Sequence, residues 1–296
     1  MYEQIAANKR KSAIIMVLFA GFAGAIAYLA GSYAGGRSFA PFAVGAALLY
    51  VVISYYASSK LALAMNGAHE VTKKDEPRLW RTVENLSITN GMPMPKVYVM
   101  EDKALNAFAT GRDPDHAVVC ATRGLLDTMT DTELEGVMAH EMGHVKNYDI
   151  RVSMMAFAMA SIISIISDMV LRMWFWGGGN SDDDGPGGGN PVFMAIGILA
   201  IILSPIVAAL IQAAISRQRE YLADATGALT TRYPDGLASA LEKIAQHGSV
   251  VQKQNTSTAH LFFANPLKGK SLAAMFSTHP PIEERIARLK GMGHKA

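Results

Sequence analysis

Four long apolar stretches divide the chain. Residues 12–36 run 25 positions without Asp, Glu, Lys or Arg, residues 38–59 another 22, and residues 191–216 another 26. Residues 152–176 hold two charges in 25 positions, Asp168 and Arg172. A helix needs about 20 apolar residues to cross the hydrocarbon core, so all four are predicted transmembrane helices. The first apolar run is too long for a secretory signal, and a second span follows almost at once. Asp168 and Arg172 are four apart, on one helix face, and are expected at the interface near the end of their span rather than as an intramembrane working pair.

Cations set the orientation. Lys9, Arg10 and Lys11 precede the first span, Lys60, Lys73 and Lys74 follow the second, Lys146 and Arg151 precede the third, and Arg217 and Arg219 follow the fourth. The opposite side offers Arg37 and the loop GGGNSDDDGPGGGN over residues 177–190, which has three Asp and no cation. The positive-inside rule then places both termini, including the cytoplasmic stretch 1–11, and the charged segments in the cytoplasm. The Gly/Asp-rich loop is expected on the periplasmic side as a flexible tether. The water-soluble part is split into residues 60–151 and 217–296, 92 and 80 residues long.

Local patterning in that part predicts an α+β fold, mainly helical. Asp75 as N-cap, Pro77 in the first turn and Gly91 past the end bound a helix over 76–90. Short β-type runs at 96–100, 105–110 and 117–121 are separated by turn residues such as 111–115, which indicates a small sheet. Thr130 and Glu133 form a capping box that opens a helix to about residue 147, with Leu134, Val137, Met138, Met142 and Val145 on its apolar face. Helices are also predicted over 217–229, continuing the fourth span, and over 234–246.

Composition sharpens this division. The chain of 296 residues is 50% apolar and 18% charged, with net charge +2 and one Cys. The four spans together hold 2 of the 52 charged side chains, and the remaining 198 residues are about 25% charged, the ordinary soluble value. Disorder, a disulfide scaffold and a basic nucleic-acid binder are all disfavoured. The single Cys120 excludes an internal disulfide and a Cys-based zinc finger. The 17 Met residues are assigned to packing.

The capped helix carries His140-Glu141-Met142-Gly143-His144, an HExxH motif. Histidines at i and i+4 share one helix face, so both imidazoles can reach one zinc ion. Glu141 can reach a zinc-bound water as general base and then return a proton to the leaving amine. The longer motif with a third His six residues on is excluded by Asn147 and Ile150, so the third ligand comes from elsewhere. In Arg217-Gln218-Arg219-Glu220-Tyr221-Leu222-Ala223-Asp224, Glu220 and Asp224 lie on one helix face. One of them can bind zinc while the other holds a histidine N–H.

HEMGH, the two-span hairpin, SRQREYLAD and the run Ser277-Thr278-His279-Pro280-Pro281 together resemble the HtpX family of bacterial membrane-bound zinc endopeptidases, relatives of the CAAX prenyl endopeptidases. The resemblance covers nearly the whole chain. It implies a split cytoplasmic protease domain of zincin-like (gluzincin) type, one Zn2+ per chain, Glu220 as third ligand and Asp224 behind a ligand. It also implies that Leu105-Asn106-Ala107-Phe108 is the edge strand to which a substrate backbone adds. Asn106 and His279 match positions that stabilise the oxyanion in relatives, against the plainer roles of a turn Asn and a helix N-cap His. Arg285 is expected to pair with a carboxylate near the site, or to be an ordinary surface helix arginine. His69, His116, His247, His260 and His294 have no motif context and are assigned as ordinary polar residues. The implied activity is quality control of misfolded membrane proteins in the inner membrane under stress, with unfolded polypeptides as substrates, the lipid bilayer as surroundings and self-cleavage as a hazard.

Two other readings compete with this one. A transporter or scaffold with a structural zinc is disfavoured because four spans are few for a transporter and a structural site fills all four positions with protein ligands. Prenyl-substrate processing is disfavoured because those relatives enclose a chamber with more spans.

Overall fold

The structure is a computed structural model and describes residues 2–159, 217–252, 258–266 and 280–293. The fourth span, most of the third, the Asp168–Arg172 pair, the Gly/Asp-rich loop and His279 lie outside the described residues.

Helices α1 (Tyr2–Gly35) and α2 (Ala40–Met65) pack against each other as a hairpin. Among the described residues, α2 is the helix long and apolar enough to cross a membrane. Large apolar side chains point outward on both, including Ile14, Val17 and Leu18 on α1 and Phe42, Leu49, Val52, Ile53 and Tyr56 on α2. Exposed apolar side chains grouped on two packed helices are the kind of surface that marks an interaction or membrane-facing site.

The chain then enters the sheet through β1 (Ala68–Glu70), a three-residue strand that its short mixed pattern does not reveal. Asp75 does not cap the next helix. Its carboxylate accepts hydrogen bonds from the Thr72 N–H and hydroxyl, closing a local turn, and Glu76 takes the N-cap position of α3 (Pro77–Asn90). Gly91 ends α3 in the left-handed conformation, φ +60°, which costs glycine nothing. Strands β2 (Lys96–Met100), β3 (Ala107–Gly111) and β4 (Ala117–Thr122) complete a sheet of order β1-β2-β4-β3. β2 runs parallel to β4, and β3 is antiparallel to it, with Phe108 opposite Cys120. β3 starts two residues later than the apolar run suggests, because Asn106 turns its side chain into the chain's own backbone. Both sheet faces are covered. Val97, Val99, Val119 and Ala121 join the core with α3 and α5, while Met100, Phe108, Val118 and Cys120 pack against the end of α2. Strands buried on both faces read as unbroken apolar runs.

After a short α4 (Arg123–Thr128) comes the motif helix α5 (Asp131–Lys146). Both halves of its capping box are present: the Thr130 hydroxyl accepts from the Glu133 N–H, and the Glu133 carboxylate accepts from the Thr130 N–H. Asn147 caps its C-terminus, Tyr148 adopts φ +60°, and a further helix α6 runs from residue 149 to 159. α6 is buried against the hairpin: Val152 and Ala156 meet Ile15, and Met154 and Phe157 meet Ala62 and Leu63. Among the described residues, the further helices are α7 (Arg217–Thr231), α8 (Pro234–His247) and α9 (Ile282–Gly293).

α7 lies across α5 at close range. A Cβ on Gly227 would stand 3.1 Å from the His140 backbone nitrogen, so the small residue lets the two backbones approach. α8 is tied to the start of α5 by Glu133, whose carboxylate accepts from Lys243 Nζ and from the Ser239 hydroxyl, each at 2.6 Å. Burial alone would raise the Glu133 carboxyl, but these bonds and the Thr130 N–H outweigh it and hold it down at about 2. A carboxylate depressed in the folded state stabilises above its unfolded value and loses that contribution as pH falls towards its folded one. Glu133→Gln should therefore lower stability by about 2 kcal/mol at neutral pH. Thermal melts of both proteins should converge as the pH drops from about 4.5 towards 2.

Candidate metal centre

α5 places His140 and His144 on one face, and α7 brings Glu220 beside them. The two Nε2 atoms are 3.1 Å apart. Glu220 Oε2 lies 3.7 Å from His140 Nε2, and Oε1 lies 3.4 Å from His144 Nε2. Ligands on a zinc tetrahedron with bonds of about 2.0–2.1 Å are about 3.3–3.4 Å from one another, and the three side chains lie close enough together to hold one such ion. His140, His144 and Glu220 are the group with this property among the described residues.

The other ring nitrogens show why the three donors converge. His140 Nδ1 is 2.8 Å from Asp224 Oδ1, and His144 Nδ1 is 3.1 Å from Asp149 Oδ2. A carboxylate at Nδ1 keeps the proton there and leaves the Nε2 lone pair for a metal. Arg285, itself buried, backs the first bridge. Its Nε donates to Asp224 Oδ2 at 2.9 Å and its Nη2 to Oδ1 at 2.7 Å. Burial would raise the Asp224 carboxyl, but Arg285 and the bond from His140 outweigh it and hold it well below the usual carboxylate range. Burial holds His140 down at about 4. His144 is also drawn down by burial, but Glu220 and Asp149 outweigh this and lift it to about 9.

Glu141 points into the same space. Burial, reinforced by Glu220, pushes its carboxyl up to about 7, while His144 and the Ala109 N–H act in the opposite sense. The cleft in front of these groups measures about 470 Å³ counted out to its mouth, and Glu141, His144, Glu220, Arg219, Ala109 and His260 all line it.

Three findings depart from the sequence expectations. Asp149 holds the second histidine, and no pattern flagged it because it lies beyond the helix break at Tyr148. His260, assigned as an ordinary polar residue, lines the cleft and bonds the Ser153 carbonyl at 3.1 Å. Asn106 is fully buried and has no amide hydrogen to offer an oxyanion in this arrangement. Its Nδ2 donates to the carbonyls of Ser249 at 3.0 Å and Ala264 at 2.8 Å, and its Oδ1 accepts from the Ala264 N–H. It clamps segment 258–266 against β3. The open edge expected at Asn106, Ala107 and Phe108 is accordingly covered by the chain itself: the Phe263 N–H donates to the Ala107 carbonyl at 2.8 Å, and Phe262 forms an antiparallel bridge with Phe108. Phe263 also stacks edge-on against the His140 ring, with centroids 4.9 Å apart. Beyond this cover, β3 meets the cleft at Ala109.

Residues 73–293 match Peptidase family M48. The chain is 52% identical over 296 residues to a Protease HtpX homolog of Tropheryma whipplei (strain TW08/27), covering 100% of this chain and 99% of that one. It is 43% identical to a Protease HtpX homolog of Ligilactobacillus salivarius (strain UCC118), covering 99% of this chain and 100% of that one. The crystal structure of S. mikatae Ste24p matches with a TM-score of 0.49 and 19% identity over 82% of this chain and 57% of that one.

The two carboxylate bridges make a direct prediction. Asp149→Ala and Asp224→Ala should each weaken metal binding by about 10–100-fold, read by competition against a chelator of known affinity. Wild-type affinity in either variant would remove that carboxylate from its assigned role.

Proposed function

The chain belongs to peptidase family M48 and is a metalloprotease of the HtpX kind, and on that footing we propose that it is a membrane-integrated zinc endopeptidase that cleaves misfolded or damaged membrane proteins on the cytoplasmic side. The observation that carries this reading is the convergence of two Nε2 atoms and one carboxylate within reach of a single ion, with Glu141 beside them.

His140, His144 and Glu220 would hold one Zn2+ per chain. A zinc ion so held would lower the pKa of a bound water and polarise the scissile carbonyl. Glu141, in its buried pocket, accepts the proton from the attacking water and passes it to the leaving amine. An environment that lifts a carboxyl towards neutrality suits both transfers, because the group gives the proton up as readily as it takes it. Asp224, Arg285 and Asp149 fix the imidazoles so that no reorientation is needed during turnover. His279, on the motif of residues 277–281, is proposed as the oxyanion donor. A substrate strand would enter along Ala109, where β3 borders the cleft.

The same reading places the enzyme in the bacterial inner membrane as a four-span protein with both termini and the zinc site cytoplasmic. The outward apolar surfaces of α1 and α2 and the cations flanking the spans support it. Unfolded polypeptides and this chain itself fall within the same substrate class, and a role in stress-linked quality control follows.

Purified protein with added zinc should cleave casein or a model membrane protein in detergent, and Glu141→Gln should abolish cleavage while keeping its zinc. Equal cleavage by both proteins would refute the assignment of the base. A reporter fused after Ala296 should show cytoplasmic activity; a periplasmic signal would reverse the orientation.

A further inference from the structure

The first membrane helix reaches the metal centre. Asn8 lies on α1, before the apolar stretch begins, and is buried at 7% exposure. Its Nδ2 donates to the Asn147 carbonyl and to Asp149 Oδ1, each at 2.8 Å, across some 140 residues of sequence. Asp149 presents its other oxygen to His144 Nδ1 at 3.1 Å. The neighbouring Lys9 ammonium sits 4.2 Å from the centre of the Tyr148 ring. Tyr148 holds φ +60°, a backbone conformation that an aromatic residue adopts only under constraint from its surroundings. Consecutive residues of α1 therefore grip three consecutive residues of the α5–α6 elbow: Asn147 by its carbonyl, Tyr148 by its ring and Asp149 by its carboxylate.

We propose that Asn8, assisted by Lys9, is a positioning residue of the metal centre, holding Asp149 so that His144 presents Nε2 to zinc. A carboxylate at the start of a helix can swing towards any of that helix's open N–H groups. The Arg219 guanidinium, 3.7 Å from Asp149 Oδ1, offers a second attraction. Asn8 fixes one oxygen and leaves the other to His144. The membrane hairpin is thereby part of the site rather than only its anchor. Detaching α1 from the elbow should loosen one zinc ligand while His140, with its separate Asp224–Arg285 bridge, stays in place.

The test is the rate of zinc loss from the full-length protein to excess chelator, measured for wild type, Asn8→Ala, Asp149→Ala and the double variant. Asn8→Ala should lose zinc about tenfold faster than wild type. Because Asn8 acts through Asp149, it should add nothing in the Asp149→Ala background. A wild-type rate for Asn8→Ala, or an equal acceleration in both backgrounds, would overturn the proposal, since a residue that merely stitches the helix to the domain acts independently of Asp149. If Asn8→Ala does not fold, Lys9→Ala serves instead. Faster zinc loss that Lys9→Arg restores supports the grip on the elbow, and wild-type rates for both refute it. The inference rests on the zinc reading above, and the wild type separates the two. A wild type that retains no zinc refutes both, whereas one that retains it equally well without Asn8 refutes this inference alone.

Discussion

Two hydrogen bonds from imidazole Nδ1 atoms to buried carboxylates govern the arrangement of this candidate metal centre. A histidine in a helix can rotate, protonate at either nitrogen or turn away from its neighbour. The Asp224 and Asp149 bridges remove those freedoms at His140 and His144 respectively. Glu220 then needs only to arrive from the crossing helix. Two bare carboxylates in so dry a place would be costly, and each is met by further donors: Asp224 by Nε and Nη2 of Arg285 and Asp149 by Asn8. The site is a nested set of hydrogen bonds, each layer fixing the one inside it.

Packing supplies the precision those bonds require. α7 delivers both Glu220 and Asp224 because they are one helical turn apart, and Gly227 allows that helix to lie close to the backbone of His140. α9 contributes Arg285 from the far end of the chain, and the start of α5 is pinned by Glu133 to α8. Candidate ligands separated by nearly 80 residues of sequence, including two predicted spans, meet because α5 and α7 share one buried seam.

What the sequence disclosed follows from the range of the forces involved. Helix α5 was legible to its caps because capping, periodicity and the HExxH spacing are all local. Glu220 and Asp224 could be picked out as a pair by their spacing, although spacing alone did not assign their separate roles. Asp149 could not be found that way: the helical register breaks at Tyr148, and its link to His144 depends on how the elbow folds. β1 escaped because three residues with one half-buried position carry almost no pattern. Asp75 misled because its carboxylate found Thr72, three residues back, before it could reach the helix. Asn106 and His260 are decided by contacts more than 100 residues away, with Ala264 and Ser153 respectively, and no local signal reports these.

The cover on β3 changes the energetics of strand pairing. An incoming polypeptide that paired with the Ala107 carbonyl would exchange one N–H donor for another, since Phe263 already donates there. Exchanging like for like contributes almost nothing net. Lifting Phe262 and Phe263, each 1% exposed, would in addition return two aromatic rings to water, a cost of several kcal/mol. Backbone complementarity at that carbonyl is therefore thermodynamically silent. Any chain held at this site gains its affinity past the covered stretch, from Ala109 outward and from its side chains.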